Sequence, residues 1–425
     1  MIRTVLLDAT TFGGDRVDVR IAGGVVAEVL PAGSLTPAPG EEPLVLTGHL
    51  LGPAFAEPHA HLDKAYTADA VPNPAGDLPG AVRGWREHRS RLSAADFEER
   101  AVRGALAALV KGTTAVRTHV GGPGVDFTAL AGLVAARKRL AGLVDVQIVA
   151  MGAPLTGPDA SAGRAELERA LDEGVDVIGG VPHGEHDPVA AMRYCLDLAV
   201  RRDRPVDLHM DEHLRPDLDL AALAGLVSAL RSTGESVPDV TAGHCVSLVT
   251  QAPETQARVA AALAAAGIAV VTCPQTNLWL QGRGQPVATP RGLAPVAALL
   301  DAGCLVAAGG DNVQDAFNPA GNGDALDVAL LLMLAAHLGA ASAADAVSRT
   351  ARRVMGLPAA GVEAGARADL VALPAASLRE AIAERPAARL VLKDGVVVSR
   401  TTLQHTFPTG HTFPTGQAFS DGQAG

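Results

Sequence analysis

Apolar positions along the chain follow three successive patterns. Residues 1–53 carry short runs, Thr4–Leu7, Val17–Ile21 and Gly24–Val29, punctuated by Gly and Pro, a pattern that predicts hairpins. From about 54 to 355, strand-like apolar runs alternate with Ala/Leu-rich amphipathic segments such as Ala95–Val110, Phe127–Leu140, Ala165–Glu173 and Val189–Arg201. Alternation of this kind predicts βα units around a parallel sheet. Strand character returns at Ala368–Leu373 and Arg389–Leu392, with Lys393-Asp394-Gly395 as a turn into Val396–Val398. Strand-rich segments at both ends predict one small sandwich, 1–53 joined by 356–402, flanking a barrel unit at 54–355. The tail, 403–425, repeats His-Thr-Phe-Pro-Thr-Gly at 405–410 and 411–416. Two copies are too few for a solenoid. A flexible tail is expected, with packing on a neighbouring subunit as the alternative.

Several strand-like runs end in residues able to hold a metal. Leu44–Leu46 and Leu50–Phe55 lead into Glu57-Pro58-His59-Ala60-His61-Leu62-Asp63. On an extended strand, His59 and His61 share a face, and neutral imidazole is the commonest metal ligand. Alone, a His-x-His pair also fits two solvent-facing histidines. Three later runs repeat the design: Pro205–Leu208 ends in His209, Val237–Val240 leads to His244, and Cys304–Ala308 leads to Asp311. In a (β/α)₈ barrel the C-terminal strand ends line one mouth, where active sites sit. The expected fold is therefore a (β/α)₈ TIM-type barrel with a small β-sandwich built from both chain ends.

Composition narrows the partners. A formal charge of −11 argues against nucleic acid or an anionic membrane surface. Met1–Asp8 lacks a basic stretch followed by an apolar one, and no apolar run approaches a membrane span. Cys195, Cys245, Cys273 and Cys304 are scattered without a CxxC pair, so buried thiols in a reducing compartment are expected. Cytoplasmic localisation follows as the expectation. At 425 residues the chain can bury a large core.

The same residues resemble the amidohydrolase superfamily, within it the branch of cytosine deaminase and N-isopropylammelide isopropylamidohydrolase. Glu57–Asp63, Val116–Val120, Asp145–Ala150 and Leu280–Arg283 are similar to the deaminase. His61–Lys64, Val271–Cys273 and Gly321–Asp324 are closer to the ammelide hydrolase, and Gly365–Val371 resembles the segment returning such chains to the sandwich. The resemblance implies that His59, His61, His209 and Asp311 hold a single divalent ion. Three imidazoles and a carboxylate suit Zn or Fe, with Mn also accepted. Many relatives bridge two metals through a carboxylated lysine. Gln147–Met151 contains none, and Lys64 reads as solvated or touching an acidic substrate edge.

By the same resemblance, Glu212 passes a proton to the ring nitrogen beside the attacked carbon. His244 holds the attacking oxygen and the developing oxyanion, and Asp311 takes the proton of a metal-activated water. Asp211 and His213 are substitutes for Glu212 if the register slips. His119 either touches the site or packs beneath it, while His183, His186 and His337 read as structural or exposed. Gln281 is expected to contact the ring. Ala153 stands where the deaminase has a glutamine, Asn312 where it has an aspartate, and Phe317 where a tryptophan stacks. These three departures imply a substrate other than, or broader than, cytosine. The expected activity is hydrolytic deamination of an amino-substituted N-heterocycle, a cytosine-like pyrimidine or triazine, with ammonia released. Release of an alkylamine, opening of a cyclic amide, and a non-catalytic binding relative are the alternatives. Oligomers among relatives imply a homo-oligomer.

Overall fold

The computed structural model describes residues 3–121, 124–285 and 287–404, so all but the first two residues of the predicted tail lie outside it. The chain opens with β1 (Arg3–Thr11), β2 (Arg16–Ala22), β3 (Val25–Pro31), β4 (Glu41–Val45) and β5 (His49–Pro53). The barrel strands follow: β6 (Phe55–Ala60), β7 (Thr113–Gly121), β8 (Asp145–Met151), β9 (Val177–Gly180), β10 (Val206–Met210), β11 (Val240–His244), β12 (Ala269–Thr272) and β13 (Val306–Ala308). The chain then returns with β14 (Leu370–Pro374), β15 (Leu390–Lys393) and β16 (Val396–Arg400).

Both ends share one sheet in the order β16-β15-β14-β5-β1-β2-β3, with β4 pairing β1. Leu6, Val19, Ile21, Leu51, Leu370 and Leu392 form its core. The apolar stretch before His59 predicts one strand, yet it divides between the two sheets. β5 pairs antiparallel with β14, and after Ala54 the chain passes to β6 beside β7. Periodicity alone does not reveal this break, because β5 is buried along its length and its apolar run continues into β6.

β6 to β13 pair in sequence order as a parallel sheet. The first and last members meet through a bridge between Ala60 and Asp311. There the His61 amide donates to the Asp311 carbonyl at 3.0 Å, and the Asp311 amide donates to the His59 carbonyl at 3.0 Å. Helices Ala94–Leu109 and Phe127–Arg139 show how local sequence builds the outer layer. Ser93 begins the first with a capping box, its backbone N–H donating to Asp96 Oδ2 at 2.9 Å. Phe97, Ala101, Ala105 and Ala108 then recur at three- and four-residue intervals on its buried face.

Arg389, 1% exposed, ties the sandwich to the barrel. Its two terminal nitrogens donate to both Asp324 oxygens at 2.9 and 2.7 Å, and Nε donates to the Pro386 carbonyl at 2.7 Å. Asp324 also caps helix Ala325–Ala335 through the Leu326 amide. Removing one partner of such a pair strands a buried charge, which costs about 3–5 kcal/mol. Denaturant unfolding of Arg389→Met is expected to show a loss of that order. A loss below about 1 kcal/mol would mean that the pair contributes nothing net.

Candidate active site

Side chains from six barrel strands or their C-terminal ends converge on one cavity. His61, Lys64, Gly121, Met151, Val181, His183, His209, Glu212, His244, Asp311, Asn312 and Phe317 line it, with helix Leu78–Arg89 as a roof. His59 stands just beneath. His209 Nε2 lies 3.2 Å from the Nε2 atoms of both His59 and His61. Asp311 Oδ1 lies 3.4 Å from His61 Nε2 and 4.0 Å from His59 Nε2. A tetrahedral ion about 2.1 Å from each ligand would separate those ligand atoms by about 3.4 Å.

Electrostatics fit a cation at that point. Burial holds the three imidazoles well below their ordinary values, so they are neutral at pH 7, as ligation requires. Burial, reinforced by Glu212 and Asp315, pushes the Asp311 carboxyl well above the carboxylate range, and its buried Oδ1 has no hydrogen-bond donor. A divalent ion would answer both the orphaned oxygen and the cost of its charge. β8 contains no lysine, so no bridging carboxylate comes from that strand.

A second layer supports His59. The His119 ring lies 4.1 Å from it, centroid to centroid. His119 Nδ1 is 3.2 Å from the Ala60 carbonyl, and Nε2 is 3.5 Å from Asp207, which accepts from Arg117 at 2.9 Å. Burial pushes the Asp207 carboxyl up, but His119 and Arg117 outweigh it and leave it below its ordinary value. His119, Asp207 and His59 also come close enough to suggest a metal group. The Arg117 guanidinium already pairs with Asp207 through Oδ2 and would repel a second dication. His119 therefore packs beneath the cavity and is not one of its lining residues.

Strand ends here adopt unusual backbone. Asp211, His244 and Asp311 have φ of 51°, 65° and 67°, a left-handed region that non-glycine residues rarely occupy. Asp211 accepts from the Asp219 and Leu220 amides, at the start of helix Leu220–Ser232, and His213 bonds Ser247. Of these three neighbours only Glu212 faces the cavity. Burial raises its carboxyl to about 8, against the lowering pull of Lys64. His244 Nδ1 accepts from Asn277 Nδ2 at 3.2 Å and lies 3.6 Å from Glu212 Oε1. That leaves the proton on Nε2, which is buried without a partner. Burial pushes His244 down to about 3, so it is a neutral donor.

Four residues expected at the substrate fare differently. Phe317 lines the cavity, and Asp315 fixes its loop by accepting from the Phe317 and Asn318 amides at 2.8 and 3.0 Å. Asn312 also lines it, but its amide is engaged: Nδ2 donates to Asp315 and Oδ1 accepts from Thr276. Gln281 is not on the wall. Its amide donates to the Glu212 carbonyl at 3.1 Å, which makes it a support for the Glu212 loop. Ala153 is also off the wall. The wall comes from Met151, two residues earlier, because Ala153–Pro154 packs on helix Ala160–Asp172. A Cβ added at Gly163 of that helix would lie 2.1 Å from the Pro154 carbonyl.

Lys64 loses the solvated one of its two sequence readings, and His183 stands on the wall. Lys64 is 3% exposed rather than solvated, with Nζ 2.8 Å from His61 Nδ1 and 3.5 Å from Asp63. His183 follows β9, and the strand-end rule that picks out His209 and His244 would have selected it too. Its ring is partly buried on the wall, and burial, with His213 next, holds it near 4. Among the described residues, no helix is long and apolar enough to cross a membrane, and all four cysteines are free and buried.

Comparison with known proteins accords with this geometry. The chain is 32% identical over 398 residues to a pterin deaminase of Rhizobium rhizogenes, covering 91% of this chain and 88% of that protein. A 5-methylcytosine deaminase from Klebsiella pneumoniae, liganded with 5-fluorocytosine, superposes with a TM-score of 0.85 at 28% identity, covering 96% of this chain and 100% of that one. An N-isopropylammelide isopropylaminohydrolase from Burkholderia multivorans superposes at 0.79 with 30% identity, covering 94% and 99%. A family model described as the amidohydrolase family matches residues 91–399. The chain belongs to the amidohydrolase family.

Proposed function

We propose that this chain is a metal-dependent hydrolytic deaminase of an amino-substituted N-heterocycle, the class to which cytosine-like pyrimidines, triazines and pterins belong. One observation carries the reading: the buried Glu212 and His244 face the same cavity as His61, His209 and Asp311, with His59 completing the cluster beneath. The three imidazoles and Asp311 would hold one ion, Zn, Fe or Mn. Such an ion, when bound, supplies a water whose pKa is lowered toward neutrality.

The chain's own groups do the remaining work. Asp311, at the cluster, accepts the proton of the attacking water. In its acid form Glu212 delivers a proton to a ring nitrogen, which makes the neighbouring carbon electrophilic. His244 donates from Nε2 to the oxygen that becomes an oxyanion as the tetrahedral carbon forms. Asp311 then passes its proton to the exocyclic nitrogen and Glu212 regains one from the attacking oxygen, so that collapse expels ammonia and leaves a ring carbonyl. Phe317 and Trp85 offer aromatic faces to a planar ring, and Met151 and Val181 close the apolar side. A donor of Glu212's kind suits an amidine nitrogen, which favours deamination over opening of a cyclic amide.

Glu212→Gln is expected to keep its metal and lose about 10²–10⁴-fold in turnover, read by elemental analysis and an ammonia-coupled assay over aminopyrimidines, aminotriazines and aminopterins. Unchanged turnover would remove Glu212 from the reaction. The acid form of Glu212 is the useful one, so kcat should hold below its pKa and fall as pH rises through it. Burial, against the pull of Lys64, sets that point at about 8, and a bound cation moves the limb lower. The limb should vanish from whatever activity Glu212→Gln retains. Chelation should abolish activity and re-addition of Zn, Fe or Mn should restore it; full activity in a protein verified as metal-free would exclude the reading.

A further inference from the structure

The cavity roof is one face of helix Leu78–Arg89. Leu78, Val82, Trp85 and Arg86 line the cavity, spaced at i, i+4, i+7 and i+8 along a single stripe. Asp77 caps the helix by accepting from the Gly80 amide at 2.8 Å. Asn73, just before it, donates to the Ala316 carbonyl at 3.0 Å, which fixes the roof against the loop bearing Phe317. Three of the four roof residues are apolar. Arg86 is the exception: among the described residues its guanidinium has no ion pair or hydrogen bond. It is exposed at the mouth of the cavity, open both to solvent and to a molecule bound beneath the helix.

A second cation lines the same cavity. Lys64 Nζ lies 5.2 Å from the Phe317 ring centroid and 5.9 Å from that of Trp85. Asp63, at 3.5 Å, offsets part of its charge, whereas Arg86 has no counter-ion. The acids on the wall are Glu212 and Asp311, and the reaction proposed above occupies both. The free positive charge on the roof is therefore left for the substrate.

We propose that Arg86 on the roof and Lys64 on the wall of the same cavity form an anion subsite, and that the preferred substrates are amino-N-heterocycles bearing a ring carboxylate. A guanidinium meets a carboxylate through two parallel N–H donors, while the heterocycle lies against Trp85 and Phe317. This inference rests on the deaminase reading and names its substrate class. The test compares two matched pairs on the metal-loaded full chain, cytosine with 5-carboxycytosine and pterin with pterin-6-carboxylate, by ammonia release. In the wild type, kcat/KM is expected to favour the carboxylated member of at least one pair by about 10- to 100-fold. Arg86→Gln should collapse that ratio, chiefly through KM of the carboxylated substrate, and Arg86→Lys should keep part of it. Turnover of the parents without a preference, or a ratio unmoved in Arg86→Gln, overturns the subsite and leaves the deaminase reading standing. Ammonia from none of the four, and from none of the aminotriazines of the assay above, removes both.

Discussion

Asp311 and the His59–His61 strand are joined by main-chain hydrogen bonds, and the geometry of the site begins there. The two bonds at 3.0 Å close the barrel and set the carboxylate beside the imidazoles by register rather than by side-chain choice. Glu57 braces the same seam. One oxygen accepts from the His59 amide at 3.1 Å and the other from the Gly310 amide at 2.8 Å. Burial raises this carboxyl to about 7 despite both bonds. Gly309 admits it: a Cβ there would lie 2.3 Å from Glu57 Oε1. Closing the fold and assembling the cluster are thus one event.

Much of this was legible in the chain because strand ends leave a strong signature. An apolar run that ends directly in His marks β10, and one that ends in a small residue and then His or Asp marks β11 and β13; the mouth of a barrel gathers such ends. Other features lacked any local signal. Lys64 looks solvated in sequence, and only the approach of Trp85, Phe317 and His61 buries it. The break between β5 and β6 is hidden because both are apolar, although they belong to different sheets. Counting residues from the family pattern put Ala153 and Gln281 at the substrate, but counting does not reveal where the chain turns away. Met151 takes the wall position, and Gln281 turns to the Glu212 carbonyl.

Charge placement separates the proposed roles more sharply than proximity does. Burial lowers the imidazoles and raises Asp311 and Glu212, so the pocket without an ion would be nearly uncharged apart from Lys64 and Arg86. Asp207, by contrast, is held ionised by His119 and Arg117 in the layer beneath. One acid beneath the cavity thus keeps its charge for architecture, whereas Glu212 on the wall is held in the acid form that can deliver a proton, and Asp311 would regain its charge beside a bound cation. The left-handed backbone at Asp211, His244 and Asp311 belongs to the same rim, where strain is tolerated because neighbouring strands over-determine it.

The roof helix sits between β6 and β7 in sequence and contributes none of the clustered imidazoles or carboxylates. Its exchange or redecoration would reshape the chamber's ceiling while the inner coordination chemistry stayed intact. A lineage carrying this architecture can therefore explore new nutrients by editing twelve residues of one segment, with the reactive machinery inherited unchanged.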